Sequence, residues 1–191
     1  RIMVASDIHG SAYYCEKVLD SFKAEKADRL LLLGDILYHG PRNNLPTGYD
    51  PKAVIELLNN AKENLMCVRG NERKNLIYAV RGNCDTEVDQ MVLKFPIMAD
   101  YCVIPMGEHI IYATHGHIYN ENNMPPLKAG DILLHGHTHV PKCIDVNGVI
   151  VMNPGSTSLP KEDSHHGYMI IDEGNFEWKD FEGNVITQER L

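Results

Sequence analysis

The first 80 residues alternate short apolar runs with segments of helical periodicity. Residues 2–5 and 30–33 are uninterrupted apolar runs that end in polar residues, as buried strands do. Between them, the segment 11–26 carries apolar residues at helical spacing and begins with Ser11, a suitable N-cap. An Asp-Pro pair then predicts a second helix over about residues 50–62. This strand–helix order predicts a parallel sheet covered by helices.

Two further strand-like runs share the same ending. The runs at residues 65–68 and 76–80 both lead into Val-Arg-Gly-Asn, which closes at Asn71 and again at Asn83. Two identical strand-end loops so close together cannot easily occupy one place in a sheet. We therefore expect one copy to belong to the core of the fold and the other to be an insertion.

The second half of the chain consists of short apolar runs separated by turns. One turn, Asn147-Gly148, is a strong hairpin signal. The runs are residues 101–105, 109–114, 131–134, 143–146, 149–153, 168–172 and 176–181. This half predicts a mostly antiparallel sheet, so the whole chain predicts two sheets packed face to face with helices outside. Because no low-complexity linker separates the halves, we expect one domain.

The composition excludes several classes of protein. The 43% hydrophobic and 23% charged residues argue against a disordered chain or a fibre. The net charge of −8 argues against a stable nucleic-acid partner or a membrane-surface partner, because both need a positive face. The opening apolar run is too short for a signal peptide or a membrane span. Five cysteines without a Cys-x-x-Cys pair indicate reduced thiols and a cytoplasmic location.

Five of the predicted strands end in loops that carry possible metal ligands. Most of these side chains stand next to a glycine, which lets the backbone turn sharply. Because the carboxyl ends of strands in an open α/β sheet lie at one edge, the loops can converge on one site. The candidate ligands are Asp7, His9, Asp35, Asn83, His115, His137 and His139.

These residue types favour a divalent metal bound by nitrogen and oxygen. Imidazole, carboxylate and amide oxygen suit Mn, Fe, Zn, Co or Ni, and the absence of thiolate ligands argues against a structural zinc finger. Seven candidates are too many for one tetrahedral ion, but they fit two ions that share a carboxylate. Two ions about 3.5–4 Å apart can bind a phosphoryl group and lower the pKa of a bridging water.

The ordered set of motifs resembles the calcineurin-like metallophosphoesterases. The motifs are Asp7-x-His9, Gly34-Asp35, Gly82-Asn83-Cys84-Asp85, His115-Gly116-His117 and Gly136-His137-Thr138-His139. Residues around the first three, and Asn153-Pro154-Gly155-Ser156 further on, look like those of the small bacterial YfcE-type phosphodiesterases. The resemblance covers nearly the whole chain. It implies a four-layer α/β/β/α sandwich of two mixed sheets, in a single metallophosphoesterase domain over residues 1–191.

The resemblance distributes the candidate ligands over two divalent ions. It assigns one ion to Asp7, His9, Asp35 and His139, and the other to Asp35, Asn83, His115 and His137, so Asp35 bridges. Mn is the expected metal, with Fe, Zn, Ni or Co as alternatives. The implied nucleophile is a metal-bridging hydroxide that attacks phosphorus in line. Two such ions would change the formal net charge from −8 to about −4, as a local positive spot in an acidic shell.

The first departure from the family pattern is Cys84. Larger relatives carry a histidine there, which is thought to protonate the leaving group or bind phosphate. A thiol is a poor general acid near neutral pH. This favours substrates with good leaving groups, or leaves His39, Asp85 or water as the proton source. Arg42 is either a phosphate clamp or an exposed loop residue. The expected catalytic residues are Asp35, His139, Cys84, Asp85, His39 and Arg42.

The second departure is the repeated Val-Arg-Gly-Asn. The spacing from Asp35 to Asn71 looks like that of the family, and so does the spacing from Asn83 to His115. Because the two residues after Asn83 continue the family motif, we expect Asn83 to be the ligand and Asn71 to be the alternative. Of the other histidines, we expect His117 to support the candidate ligands from behind.

The implied activity is hydrolysis of a small phosphodiester substrate. One alternative is a phosphomonoesterase or nucleotide pyrophosphohydrolase with the same centre. Another is a non-catalytic scaffold like the retromer subunit of eukaryotes. The intact set of candidate ligands weighs against the scaffold. Monoester dianions need more positive charge around the phosphoryl oxygens. The sequence offers Arg42 and little else near the motifs, which favours diesters. Exposed apolar positions on the late hairpins are compatible with a homo-oligomer.

Overall fold

The computed structural model describes residues 1–66 and 76–191, which contain three helices and eleven strands. The helices are α1 (Ala12–Ala24), α2 (Pro51–Met66) and α3 (Glu87–Val92). The strands are β1 (Ile2–Ala5), β2 (Arg29–Leu32), β3 (Leu76–Ala79), β4 (Tyr101–Met106), β5 (His109–Thr114), β6 (Ile132–Leu134), β7 (Lys142–Val146), β8 (Val149–Asn153), β9 (Gly167–Asp172), β10 (Asn175–Asp180) and β11 (Val185–Arg190).

The first sheet has six strands in the order β11-β10-β9-β1-β2-β3. β1, β2 and β3 are parallel, with α1 and α2 as the crossovers, which confirms the predicted strand–helix start. β9, β10 and β11 extend this sheet with antiparallel pairings. The alternation along β1 places Met3 and Ala5 in the core under the helices and Val4 in the core between the sheets. Burial on both faces explains the unbroken apolar run.

The second sheet has five strands in the order β4-β5-β6-β8-β7. Its edge strands β4 and β7 are antiparallel to their neighbours, and the Asn147-Gly148 turn joins β7 to β8 as predicted. The three central strands β5, β6 and β8 are parallel. The prediction of a mostly antiparallel second half is therefore wrong for these three strands. It holds for the two edge strands and for β9, β10 and β11, which join the first sheet.

The two sheets pack face to face, and the predicted α/β fold of two mixed sheets is confirmed. Side chains from both sheets share one core, and Trp178 on β10 is part of it with 1% exposure. The outer face of the second sheet is covered by residues 115–131, which form an irregular segment rather than a helix. Tyr119, Met124 and Leu127 from this segment pack against the cluster of Tyr112, Leu133, Val149 and Val151.

Two helix ends differ in how well the sequence predicted them. Ser11 is the N-cap of α1, because its hydroxyl oxygen accepts the backbone N–H of Tyr14 at 3.2 Å, as expected. Helix α2 continues to Met66, so the prediction of a strand from residue 65 is wrong at its start. The rest of that run and the first Val-Arg-Gly-Asn copy, with Asn71, lie outside the described residues.

The described residues include no helix that could span a membrane, and their cysteines are free. Among the described helices, none combines the length and the apolar character that crossing a membrane requires. Cys15, Cys84, Cys102 and Cys143 are free thiols, and Cys67 lies outside the described residues.

Candidate metal centre

The loops after neighbouring strands stay hydrogen-bonded to each other beyond the strand ends. In the first sheet, the backbone N–H of His9 donates to the carbonyl of Asp35 at 2.9 Å. In the second sheet, the backbone N–H of Gly136 donates to the carbonyl of His115 at 2.8 Å. Because the carboxyl ends of parallel strands meet at one edge, these loops bring the candidate ligands of both sheets together.

The backbone of these loops is strained at the candidate ligands. Five of the seven candidates have a positive φ, a region that non-glycine residues rarely adopt. They are Asp7 (56°), His9 (50°), Asp35 (52°), His137 (66°) and His139 (64°). Such strain persists only where the surrounding hydrogen bonds hold it, and it concentrates at functional sites.

Asp7, His9 and His139 form a buried group that we call the first cluster. The Nε2 atom of His139 lies 3.4 Å from Oδ1 of Asp7, and that of His9 lies 3.7 Å from the same oxygen. The other ring nitrogen of each histidine is fixed by the backbone. Nδ1 of His9 lies 2.8 Å from the Tyr38 carbonyl, and Nδ1 of His139 lies 2.6 Å from the Leu159 carbonyl.

The first cluster presents lone pairs to its own centre. A carbonyl oxygen only accepts hydrogen bonds, so Nδ1 of His9 and of His139 must each carry the proton. In the neutral rings, both Nε2 atoms are then acceptors, yet they face each other at 3.2 Å. Two lone pairs at this separation repel unless a cation lies between or beside them. The donor set therefore fits a divalent cation, and anchoring the far nitrogen is how proteins orient histidine ligands.

The carboxylate of Asp7 has one oxygen in use and one without a partner. Oδ2 accepts the hydroxyl of Ser6 at 2.6 Å and the backbone N–H of His137 at 3.0 Å. Oδ1 is buried and has no hydrogen-bond partner among the described residues. Burial raises the pKa of Asp7, but interaction with His139 and the field of His115 hold that pKa well below its usual range. The oxygen aimed into the cluster is thus anionic and free to bind a cation.

Asp35, Asn83, His115 and His137 form the second cluster. Nε2 of His115 lies 3.5 Å from Oδ1 of Asp35 and 3.2 Å from Oδ1 of Asn83. Nδ1 of His137 lies 3.2 Å from the same Nε2 atom. Nδ1 of His115 is 2.6 Å from the Leu33 carbonyl, so in the neutral ring Nε2 would point its lone pair into the cluster.

The side-chain amide of Asn83 is oriented by its neighbour. Its Nδ2 donates to Sγ of Cys84 at 3.2 Å, which turns Oδ1 towards His115. The structure therefore brings the second copy of the repeat to the cluster. The alternative, Asn71, lies outside the described residues.

The pKa values of the two histidines in the second cluster are shifted in opposite directions. Burial lowers the pKa of His115, but its hydrogen bond to Asp35 and the charge of Asp7 raise that pKa to about 9. Burial and the neighbouring His115 lower the pKa of His137 to about 4. The acidic cluster thus attracts one positive charge even without a metal, and a divalent cation would take the place of that proton.

Asp35 lies between the clusters. Its Oδ2 is 3.7 Å from Nε2 of His9, and its Oδ1 is 3.5 Å from Nε2 of His115. Oδ1 also accepts the backbone N–H of Cys84 at 2.8 Å. A Cβ atom at Gly82 would lie 2.1 Å from Oδ1 of Asp35, so only glycine permits this approach. One carboxylate therefore faces both clusters, as a bridging ligand must.

Asp85 holds the Asp35 loop from behind. Its carboxylate accepts three backbone N–H groups, from Asp35 at 2.8 Å, Ile36 at 2.9 Å and Gly82 at 2.8 Å. Burial raises the pKa of Asp85 to about 6, and the three hydrogen bonds oppose this rise. Because both oxygens are occupied and the side chain does not line the cavity, the structure does not place Asp85 as the proton source.

A cavity of about 420 Å³ opens above the two clusters. Its walls are Asp35, Gly40, Pro41, Arg42, Asn43, Asn83, Cys84, His137, Thr138, His139 and Lys161. Of the expected catalytic residues, Asp35, His139, Arg42 and Cys84 line this cavity. Burial and the charge of Asp35 raise the pKa of the Cys84 thiol, so this group stays protonated. Lys161 is a second cation at this cavity that sequence reasoning missed, because a lysine in a polar loop carries no motif.

Three other histidines lie near the clusters. His39 packs edge-on against Tyr49, with Nδ1 at 3.3 Å from the hydroxyl, and it does not line the cavity. The structure therefore does not place His39 as the proton source. The ring of His117 lies 5.4 Å from that of His115, next to the second cluster. His135 is fully buried, with Nδ1 at 3.0 Å from the Gly136 carbonyl.

The fold and these clusters define a class of metal-dependent phosphoesterase, and comparison with known proteins agrees. The model of the calcineurin-like phosphoesterase superfamily domain matches residues 1–175. The chain belongs to the calcineurin-like phosphoesterase superfamily. It is 42% identical over 172 residues to phosphodiesterase YfcE of Escherichia coli K12, which covers 90% of this chain and 87% of that protein.

Solved structures show the same fold. The structure of the phosphoesterase YfcE from E. coli matches with a TM-score of 0.88 and 39% identity, covering 99% of this chain and 98% of that one. Wild-type Vps29 from Entamoeba histolytica, solved with Zn²⁺, matches with a TM-score of 0.54 at 18% identity, covering 100% of this chain and 97% of that one. The second likeness concerns the fold alone.

Proposed function

We propose that this protein is a metal-dependent phosphodiesterase that hydrolyses a small phosphodiester substrate. The observation that carries the proposal is the pair of clusters that face their lone pairs inward and share Asp35. The name of the E. coli relative, a phosphodiesterase at 42% identity, supports the same activity.

Two divalent cations fit this centre. One would be held by Asp7, His9, Asp35 and His139, and the other by Asp35, Asn83, His115 and His137. Bound cations would supply Lewis acidity that polarises the phosphoryl group and lowers the pKa of a water molecule enough to make it a nucleophile near neutral pH. We propose Mn as the metal because imidazole with carboxylate and amide oxygen suits it; the same donor set accommodates Fe, Zn, Ni or Co.

The protein's own groups position the reaction. The carbonyls of Leu33, Tyr38 and Leu159 fix the histidine rings, so little reorganisation is needed when charge develops. Arg42 lines the cavity, where its guanidinium can donate paired hydrogen bonds to a phosphate group of the substrate. Cys84 offers a buried, protonated thiol, which is a weak acid. A leaving group that departs without strong protonation is therefore the expected preference.

A phosphomonoesterase activity at the same centre is the second candidate. The sequence disfavours a phosphomonoesterase, because little positive charge lies near the motifs. Lys161 joins Arg42 at the cavity and supplies a second cation. A scaffold without catalysis is disfavoured, because a scaffold has no use for strained and buried inward-facing ligands. We further propose that the protein is cytoplasmic and has no stable nucleic-acid or membrane partner. Val185 and Ile186 on β11 are exposed, which is compatible with a homo-oligomer.

The test is a rate comparison of bis(4-nitrophenyl) phosphate and 4-nitrophenyl phosphate. The protein is stripped of metal, reloaded with Mn, Fe, Zn, Ni or Co, and assayed for release of 4-nitrophenolate. We expect hydrolysis only with metal, and a higher kcat/KM for the diester. Absence of diester hydrolysis with every metal would refute the enzyme proposal. A higher kcat/KM for the monoester would favour the second candidate.

A further inference from the structure

The position of Lys161 at the cavity is fixed by its backbone. Its N–H donates to the carbonyl of His139 at 3.2 Å, and its own carbonyl accepts the N–H and the hydroxyl of Ser164 at 3.1 and 2.6 Å. His139 is itself fixed through Nδ1 to the Leu159 carbonyl. The loop that carries Lys161 is thus attached to a member of the first cluster. Lys161 lies in the segment between β8 and β9, whereas Arg42 lies in the loop that follows β2.

The cavity holds two cations without an acidic partner at its rim. Several other described cations are paired, including Lys142 with Glu121 and Lys179 with Glu25. Within residues 1–66 and 76–191, the structure gives neither Arg42 nor Lys161 an ion pair. The one carboxylate among the cavity walls is Asp35, which faces the clusters. In a chain with a net charge of −8, two unpaired cations at one cavity indicate an anionic ligand.

The positive charge at the cavity exceeds what a simple phosphodiester needs. A phosphodiester carries one negative charge, and cations at the two clusters would already face it. The cavity volume of about 420 Å³ is within the usual range for small-molecule sites and leaves room beyond a phosphoryl group. Arginine and lysine together are a common pair for phosphate, as a planar fork and a point charge.

We propose that Lys161, with Arg42, binds a second phosphate group of the substrate, so that the preferred substrate is a phosphodiester that also carries a phosphate monoester. This inference rests on the proposed phosphodiesterase activity. It makes Lys161 a specificity-determining residue of the cavity rim. Its contribution is to substrate binding, because Lys161 belongs to neither cluster.

The test uses two chromogenic diesters that differ by one group, thymidine 5′-(4-nitrophenyl phosphate) with and without a 3′-phosphate. Both release 4-nitrophenolate from the diester. In the metal-loaded wild-type protein, we expect the 3′-phosphate to raise kcat/KM at least about tenfold, as hydrogen bonds to a charged group allow. In Lys161→Gln, most of this gain should disappear through a higher KM, while kcat changes little. Arg42→Gln should reduce the gain in the same direction.

The matched control is Lys52→Gln, which removes an exposed charge on α2, away from the cavity. It should keep the full gain, and all variants should unfold at the wild-type temperature. If Lys161→Gln keeps the gain, or if the wild type hydrolyses both diesters equally well, the inference is wrong and the proposed activity stands. If the wild type hydrolyses neither diester with any metal, the proposed function fails and the inference fails with it.

Discussion

The base of the cavity and its rim are built in opposite ways. At the base, Asp7, His9 and His115 are at most 1% exposed, and each has a backbone or side-chain group that fixes its orientation. At the rim, Arg42 and Lys161 are exposed and have no ion pair in the described part of the chain. The base is rigid before any ligand binds, and the rim is free to adapt.

This difference separates two tasks. Groups whose orientation is fixed in advance can stabilise charge in the transition state without reorganisation. Flexible cations at the rim contribute mainly to ground-state binding, where long side chains lose entropy when they engage a ligand. We expect changes at the base to act on kcat and on metal affinity, and changes at the rim to act on KM.

Removal of metal should have the largest effect, because both clusters then lack the cations that their carboxylates and histidines would hold. Dialysis against a chelator should abolish activity. A cation present at 100 times its Kd stabilises the folded state by about 2.7 kcal/mol, which for a chain of this size corresponds to roughly 5–10 °C in Tm. Differential scanning calorimetry with and without Mn measures this. An unchanged Tm, with activity retained after chelation, would contradict the metal assignment.

Asp35→Asn should reduce kcat/KM by at least about 10³-fold, since Lewis-acid stabilisation is worth several kcal/mol. The amide has the shape of the carboxylate and can still accept the N–H of Cys84, so the fold should persist. Circular dichroism checks the fold, and metal analysis should find fewer bound ions. Asp20→Asn, at an exposed side chain on α1, is the matched control and should keep full activity. Wild-type activity in Asp35→Asn would exclude a bridging role.

Asp85→Asn should weaken metal binding about 10–100-fold, the usual effect of removing a group that orients ligands. The new NH₂ group would oppose one of the three backbone N–H donors, at a cost of about 1–3 kcal/mol. Isothermal titration with Mn gives the affinity. Asp89→Asn disturbs the capping box of α3 instead and should lower stability without changing the affinity. Equal metal affinity in both variants would show that Asp85 does not position the centre.

Arg42→Gln should have the smallest effect on bis(4-nitrophenyl) phosphate. An exposed cation contributes about 0.2–1 kcal/mol to an ionic contact, so KM should rise less than about sixfold while kcat stays near the wild-type value. Steady-state kinetics separates the two parameters. A large loss in kcat would mean that Arg42 acts at the base, on the transition state, and the division between base and rim would be wrong.

The sequence predicted the parts of the fold and the site that local patterns report. The unbroken apolar runs of β1 and β2 and the Ser11 cap are local, and they are confirmed. The parallel pairing of β5, β6 and β8 depends on which strands meet across long connections, and no local pattern records this. β11 is exposed along its whole length, so it lacks the apolar alternation that indicates a strand.

The candidate site shows the same limit. Each candidate ligand follows a strand, so position along the chain was enough to group them. Lys161 lies in a polar loop and is brought to the cavity by hydrogen bonds between distant segments, including its N–H to His139. The role of Asp85 could not be predicted from its motif either. The motif does not show whether the carboxylate faces the cavity or accepts backbone N–H groups of the loops that carry the ligands.

The most direct test of the central claim is an anomalous difference map from crystals grown with Mn. We expect two peaks about 3.5–4 Å apart on either side of Asp35, one next to His9 and His139 and the other next to Asn83 and His115. A single peak, or two peaks that do not share Asp35, would contradict the proposed two-metal centre.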